Sequence, residues 1–571
     1  MAQIPNSQDV YDVIVVGSGA GGGTATRVLT GKGLKVALLE AGPMLDPFKE
    51  FLEHKTPADY DHRGAEEGGA AYFGKGKPFG FFSTTSGGWQ LEGEPYTVGE
   101  GSKFEWFRSR ILGGRTNHYG RMSFRFSDYD FKPYTRDGLG FDWPISYEDI
   151  APYYDKAEEF IGVCGSVEGI RSAPDGKFHT PPEPKVHEML IKKASNKLGI
   201  PCIPNRRAVI TKSINGRAAC HYCGQCGRGC QTASAYSSSQ VEIFPAMKTG
   251  LVKVFDNAMV REVLSSGNGR ANGVLYVDKK TREHRVIRGK AVVLAASACE
   301  SARILLNSKS KEFPNGLANG SGLVGRYLMD TVGFGLSGYV PALEGMPHYD
   351  TDGYGGAHLY MPWWLWENHN KLDFPRGYHV EIGGGYGQPG VGSFHGAARG
   401  FGYGKDMKKN IRQRYGASVG FSGRGEMIPN ALSYCELDSS VVDQWGIPVL
   451  KFHFKWSDNE WRQARHMERT FTQIIEAMGG RVSGLNNAQR ESDGISTPGT
   501  IIHEVGTVKM GANAKNSVLN GYTQTHEVKN LFVMDGGSFV SNPDKNPTLT
   551  INALAWRGCD YLADEMRKGN V

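Results

Sequence analysis

Residues 11–42 read YDVIVVGSGAGGGTATRVLTGKGLKVALLEAG. The run Asp12–Val16 is short and β-branched with no polar alternation, which predicts a strand buried in a parallel sheet. Gly17, Gly19 and Gly22 follow at the spacing G-x-G-x-x-G. The first glycine permits a tight turn, the second lets backbone approach a pyrophosphate, and the third lets helix pack on strand. Thr24 to Leu29 begins a helix whose N–H groups and dipole face the phosphates. A second strand, Lys35 to Leu39, ends at Glu40, whose carboxylate takes ribose hydroxyls. A glycine pattern alone is weak. With a strand before it, a helix after it and the acid 23 residues beyond Gly17, it predicts a dinucleotide site.

A chain of 571 residues exceeds one compact core, so two domains are expected. Its 77 glycines imply many tight turns and loops. The formal charge of +6 is small for this size, and no basic run interleaved with aromatics points to nucleic acid. No apolar stretch approaches the roughly 18 to 20 residues needed to span a bilayer. The opening residues MAQIPNSQD lack a charged n-region and an apolar h-region, so no signal peptide is expected. Nine cysteines include a tight group of four, which without an export signal favours a metal or cluster over disulfides.

Beyond the first unit, residues 43–103 are Gly- and aromatic-rich and read as loop. Gly113-Gly114 invites close approach of backbone to a ligand. Ser146 with Asp149 opens a helix, and 186–198 has apolar residues at helical spacing. Strands are expected at 252–255, 272–278 and 291–296, the last running into a helix over 300–306. Residues 336–485 change character: alternating stretches at 378–382 and 449–456 predict a sheet-based domain inserted in the first. A long helix over 459–478 ends at Gly479-Gly480. Residues 530–535 are a strand with an acid at its end, and 548–562 a helix.

Five segments stand in order: GSGAGGG at 17–23, ILGGRTNHY at 111–119, DSSVVDQWGIP at 438–448, HEVGT at 503–507, and NLFVMDGG at 530–537 with NPTLT at 546–550. Together they resemble the glucose–methanol–choline (GMC) oxidoreductases, FAD enzymes that oxidise alcohols. The resemblance implies a Rossmann-like α/β FAD-binding domain over 1–335 and 486–571, with an inserted α+β sheet domain over 336–485 that receives substrate. It implies FAD held by Gly17, Gly19, Gly22 and Glu40, with Gly113, Gly114, Asn117, His118, Asp535 and Gly536 also against the cofactor. It implies that His503 is the base and Asn546 its partner facing the flavin. The chemistry agrees. Alcohol oxidation needs a base for the hydroxyl proton, and imidazole serves near neutrality; Asn546 can hydrogen-bond the substrate oxygen and hold it in line. GGRTNHY also resembles the pyranose 2-oxidase segment in which a histidine is joined covalently to the flavin, so His118 either carries that bond or only lines the cleft.

Cys220, Cys223, Cys226 and Cys230 have the spacing C-x2-C-x2-C-x3-C of bacterial ferredoxins. They predict one iron–sulfur cluster, [3Fe–4S] or [4Fe–4S], with structural zinc or an empty loop as alternatives. The other five, Cys164, Cys202, Cys299, Cys435 and Cys559, read as buried small hydrophobes. A flavoprotein with such a cluster resembles the catalytic subunits of bacterial gluconate 2-dehydrogenase, FAD glucose dehydrogenase and glucoside 3-dehydrogenase. That resemblance implies a small partner subunit bearing a twin-arginine signal, a cytochrome c, and periplasmic location by co-export, cytoplasmic location being the alternative. The expected reaction is oxidation of a secondary hydroxyl of glucose or a glucoside, at the 3-position, with gluconate next. An oxygen-using oxidase with structural cysteines and a non-catalytic flavin subunit are the rivals. Tyr349, Tyr354, Tyr360, Trp363, Trp364, Trp366 and Tyr378, with Asp350, Asp352 and Glu381, either pack or meet a sugar.

Overall fold

The computed structural model describes residues 6–51, 53–54, 59, 87–347, 353–386, 400–485, 490–491 and 494–571. The opening stretch folds as strand Asn6–Val16, helix Ala20–Gly31 and strand Val36–Leu39. Val13–Val16 pair in parallel with Val36–Leu39 on one side and Ala291–Leu294 on the other. Val252–Phe255 and Leu531–Val533 extend the two flanks, also in parallel. Both faces of this sheet are covered, which is why its strands carry apolar residues without alternation. Val13 and Val15 pack toward the helices Ala20–Gly31 and Thr548–Arg567, and Ile14 and Val16 toward the larger core. This is the expected Rossmann-like layer.

The same sheet continues as an antiparallel meander through Ala258–Ser266, Arg270–Asp278 and the first half of His284–Leu294. The strand Ala258–Ser266 was not legible in the sequence, since the second half of its run is only half-buried.

The second sheet has six strands in the order Arg481–Leu485, Val332–Tyr339, Ser418–Gly425, Tyr378–Gly384, Leu359–Met361 and Ile203–Pro204, all antiparallel. One edge strand, Ile203–Pro204, thus comes from the N-terminal part of the chain. The helix Asp458–Ala477 lies across this sheet and buries Phe471, Ile474 and Ile475. Ser457 and Glu460 cap its start reciprocally, and Gly479, at φ +72°, follows its end. Pro448–His453 does not join the second sheet as expected. It pairs with Tyr434–Val442 and Thr97–Val98 in a sheet of three strands, where Phe452 stacks on Phe104 at 4.4 Å.

Tyr354, Tyr360, Trp363 and Tyr378 are buried packing residues, and the five remaining cysteines outside 220–230 are buried as expected. Tyr349, Asp350 and Asp352 lie outside the described residues. Among the described residues no helix is long and apolar enough to cross a membrane.

Candidate active site

The glycine turn is built from close approaches. Gly17 sits at φ +93°, and a Cβ there would lie 2.4 Å from Ala295 O. A Cβ on Gly22 would lie 1.9 Å from Gly17 O, so helix and turn touch backbone to backbone. Gly19 is different. A Cβ there meets no protein atom within 4 Å and would project into open space, and no side chain caps the helix that starts beside it. Uncapped N–H groups at a helix N-terminus next to that space make an anion cradle. The space is part of a cavity of ≈ 760 Å³ that extends from Glu40 to His503 and Asn546. A long bipartite cavity, a phosphate cradle and an acid at one end fit FAD.

At the Glu40 end, Glu40 Oε1 accepts from Gly42 N at 2.8 Å and Oε2 accepts from Ser18 Oγ. Burial pushes its carboxyl above the ordinary value against these bonds. Gly17, Gly19, Glu40, Gly114, His118, Asp535 and Gly536 all line the cavity. Gly22 and Gly113 are not on its wall; they shape the turns behind it. Asn117 is not on the wall either. Its Nδ2 donates to Leu112 O (2.9 Å) and Gly114 O (3.0 Å), and its Oδ1 accepts from Ser239 Oγ (2.9 Å), so it holds the loop that presents His118. His118 Nε2 lies 3.1 Å from Ser109 Oγ, and burial with Arg121 and Arg115 lowers its pKa to about 3. Asp535 takes Gly537 N at 2.8 Å and Ser301 Oγ at 2.5 Å; burial raises it to about 6.

At the other end the two residues expected to face the flavin come together. His503 Nε2 lies 3.4 Å from Asn546 Nδ2, and His503 Nδ1 lies 3.0 Å from Thr331 Oγ1. With Asn546 Nδ2 donating, His503 Nε2 is the unprotonated acceptor and the proton of the neutral ring belongs on Nδ1, so Nε2 takes a substrate proton only where the hydroxyl displaces this long bond. Burial, then Arg424, lowers the His503 pKa to about 3, so the ring is neutral near pH 7. Backbone is fixed from below, because Asp330 Oδ1 accepts from His503 N at 3.0 Å. Ile502, just before it, is held at φ +66°, a strained conformation for a β-branched residue.

The second sheet adds residues that no local motif announced. Glu381 Oε1 accepts from Asn546 Nδ2 at 3.2 Å, and Arg424 Nη2 lies 3.1 Å from Glu381 Oε2. Burial pushes the Glu381 carboxyl up, but Arg424, His379 and Asn546 overcome it and hold it well below the ordinary range. Arg115 enters from the loop before His118 and pairs with Glu504 at 2.6 Å. Of the aromatics and acids of residues 349–381, Glu381 alone lines the cavity among the described residues.

The cysteine loop departs from expectation. Among the described residues, no group of three or more His, Cys, Asp or Glu side chains is arranged to hold a metal ion. Cys220, Cys223 and Cys226 are partly buried and Cys230 is buried; burial, and the other thiols of the loop, raise Cys220 to about 12 and Cys223 to about 11. The loop is nevertheless tied to the cavity wall. Arg121, fully buried, donates to Cys226 O (2.5 Å), Tyr119 O (2.6 Å) and Asn117 O (2.8 Å).

Comparison with known proteins agrees with this geometry. The N-terminal GMC oxidoreductase model matches residues 11–331 and the C-terminal one residues 429–555. The chain is 31% identical to 2-methyl-1,2-propanediol dehydrogenase of Mycolicibacterium austroafricanum, over 98% of this chain and 96% of that protein. It is 26% identical to the fructose dehydrogenase large subunit of Gluconobacter japonicus, over 98% of each. The structure of pyridoxine 4-oxidase from Mesorbium loti shares the fold, with a TM-score of 0.60 at 14% identity over 96% of this chain and 99% of that one. With the dinucleotide turn at one end of the cavity and the His503–Asn546 pair at the other, the chain belongs to the GMC oxidoreductases, FAD-dependent enzymes acting on CH–OH groups.

Proposed function

We propose that this enzyme oxidises a secondary hydroxyl of a sugar or sugar derivative to a ketone, with glucose or a glucoside at the 3-hydroxyl first and gluconate next. The carrying observation is the neutral His503 Nε2 beside Asn546 Nδ2 at the inner end of the FAD-sized cavity. FAD, when bound, takes the hydride from the carbinol carbon. His503 Nε2 takes the hydroxyl proton, and its Nδ1–H rests on Thr331 Oγ1, which fixes the ring. Asn546 holds the reacting oxygen in line. Arg115 and Glu504 close the wall as a neutral pair. Two relatives carrying names of a diol and a sugar dehydrogenase support polyhydroxylated substrates.

The electrons pass to an external acceptor such as cytochrome c, in complex with a small subunit that carries the twin-arginine signal and takes the complex to the periplasm. The fructose dehydrogenase relative is a large subunit, which supports an assembly. The thiols of Cys220, Cys223, Cys226 and Cys230 have the donor chemistry of an iron–sulfur cluster, which would supply the relay from flavin to acceptor. A second reading is an oxygen-using oxidase with structural cysteines, which forms one peroxide per sugar oxidised.

Anaerobic titration with glucose, a methyl glucoside or gluconate tests the reaction. Bleaching of the flavin absorption by one of them, lost in His503→Ala, is expected; a flavin that none of them bleaches overturns it. Peroxide under air separates oxidase from dehydrogenase. Iron analysis and EPR of protein purified without oxygen read the loop independently.

A further inference from the structure

Glu381 Oε1 accepts from Asn546 Nδ2 at 3.2 Å, and Asn546 is the residue to which the proposed reaction gives the reacting hydroxyl. Register explains the placement. Glu381 pairs with Ser422 and His379 with Arg424 across adjacent strands, so these four side chains share one face of the second sheet. Arg424 reaches Glu381 Oε2 at 3.1 Å, and His379 Nε2 lies 3.6 Å from Oε1. Both members of the ion pair line the cavity.

An ion pair in such a place is expensive to desolvate, and an apolar pair of similar volume is generally as stabilising or more so. Stability does not account for it. Its net charge is zero, so it does not select a charged ligand by attraction. What it offers is a carboxylate with lone pairs to spare beside a guanidinium with spare N–H groups. That combination complements a hydroxyl, which both donates and accepts. The carboxylate stands one hydrogen bond of 3.2 Å from Asn546, a spacing that suits hydroxyls on adjacent carbons.

We propose that Glu381, paired with Arg424, determines specificity for vicinal diols by accepting a hydrogen bond from the hydroxyl adjacent to the one oxidised. This rests on the alcohol-oxidising reading of the His503–Asn546 site and narrows its substrate class. The chemistry stays balanced: the carbinol C–H and O–H bonds break, hydride goes to the flavin and the proton to His503, a C=O bond forms, and the neighbouring hydroxyl is unchanged.

The test uses the FAD-loaded enzyme with cis-cyclohexane-1,2-diol against cyclohexanol. The second-order rate of anaerobic flavin bleaching is expected to favour the diol at least 100-fold in the wild type, and less than tenfold in Glu381→Gln. A second readout needs no turnover. Pinacol, a tertiary diol with no carbinol hydrogen, is expected to bind at least tenfold more tightly than tert-butyl alcohol by calorimetry, and Glu381→Gln to remove that difference. Equal treatment of diol and monoalcohol by the wild type overturns the proposal even if the variant does not fold, as does an unchanged preference in a folded variant. If both alcohols bleach the flavin equally and His503→Ala abolishes it, the alcohol-oxidising reading stands and only this inference fails. If no alcohol bleaches it, both fall.

Discussion

His503 is neutral because of what surrounds it, and the same burial weakens it as a base until substrate and cofactor fill the cavity. Buried and faced by Arg424, the imidazole stays neutral down to a pKa of about 3, so no proton must be removed before it can act near pH 7. Its replacement by Ala removes a general base, which is worth about 10²- to 10⁴-fold in rate. Stopped-flow bleaching of His503→Ala by substrate is expected to slow by that factor while the flavin content of the purified protein is retained. Asp535 shows the opposite sign. Its folded pKa of about 6 lies above the ordinary 3.8, so the stability linked to this group is full below about pH 4 and is lost as pH rises through 6. Between pH 5 and pH 8 that loss is about 1.4 kcal/mol, from one pKa unit at about 1.4 kcal/mol per unit. Asp535→Asn cannot ionise and can still meet Ser301. Denaturant melts are expected to show the variant gaining about 1.4 kcal/mol on the wild type between those two pH values, and an unchanged difference rejects the assignment.

Single elements carry the next layer, and the glycine turn separates folding from binding. A Cβ at Gly22 would fall 1.9 Å from Gly17 O, inside any real contact, so Gly22→Ala must displace the turn. A Cβ at Gly19 meets only the cavity. Gly22→Ala is expected to lower the melting temperature by several degrees and to lose flavin; Gly19→Ala is expected to fold with the wild-type melting temperature as apoprotein and to bind FAD at least tenfold more weakly. This contrast also explains what the sequence made legible. The turn is local: three glycines dictate the backbone, and G-x-G-x-x-G with flanking strand and helix could be read directly. The helix start at Ser146 with Asp149 was equally plain, whereas the reciprocal cap of Ser457 with Glu460 emerged only in the structure. Strand Ala258–Ser266 was hidden because half of it is only partly buried and its pairing partner decides its identity. Asn117 stood in a cofactor-like segment yet turns its amide into its own loop. The cysteine spacing was clear, but spacing specifies donors and not their convergence.

At the scale of the molecule, the reaction end is assembled from parts that local sequence does not connect. His503 and Asn546 come from the C-terminal segment, while Glu381 and Arg424 come from neighbouring strands of the second sheet. Glu381 carries no motif, and only the register of Tyr378–Gly384 on Ser418–Gly425 brings it to Arg424 and only the docking of that sheet brings it to Asn546. The docking therefore has to be rigid. Arg376, fully buried, is one of the pins: it pairs with Asp137 at 3.0 Å, donates to Leu139 O at 2.7 Å and meets Glu426 at the end of the second sheet. Removing one partner of a buried pair leaves the other uncompensated, a loss of about 3 to 5 kcal/mol. In Arg376→Met, Glu426, already pushed up by burial and lowered by Arg376, loses its cation and the sheet loses its tie to residues 137–139. The melting temperature of the FAD-loaded enzyme is expected to fall by several degrees. Because Glu381 and Asn546 must stay within one hydrogen bond, the diol-over-monoalcohol preference is expected to fall with it, even at temperatures where the variant is fully folded. A variant that melts early but keeps its preference would show that Arg376 stabilises the sheet without aligning the site.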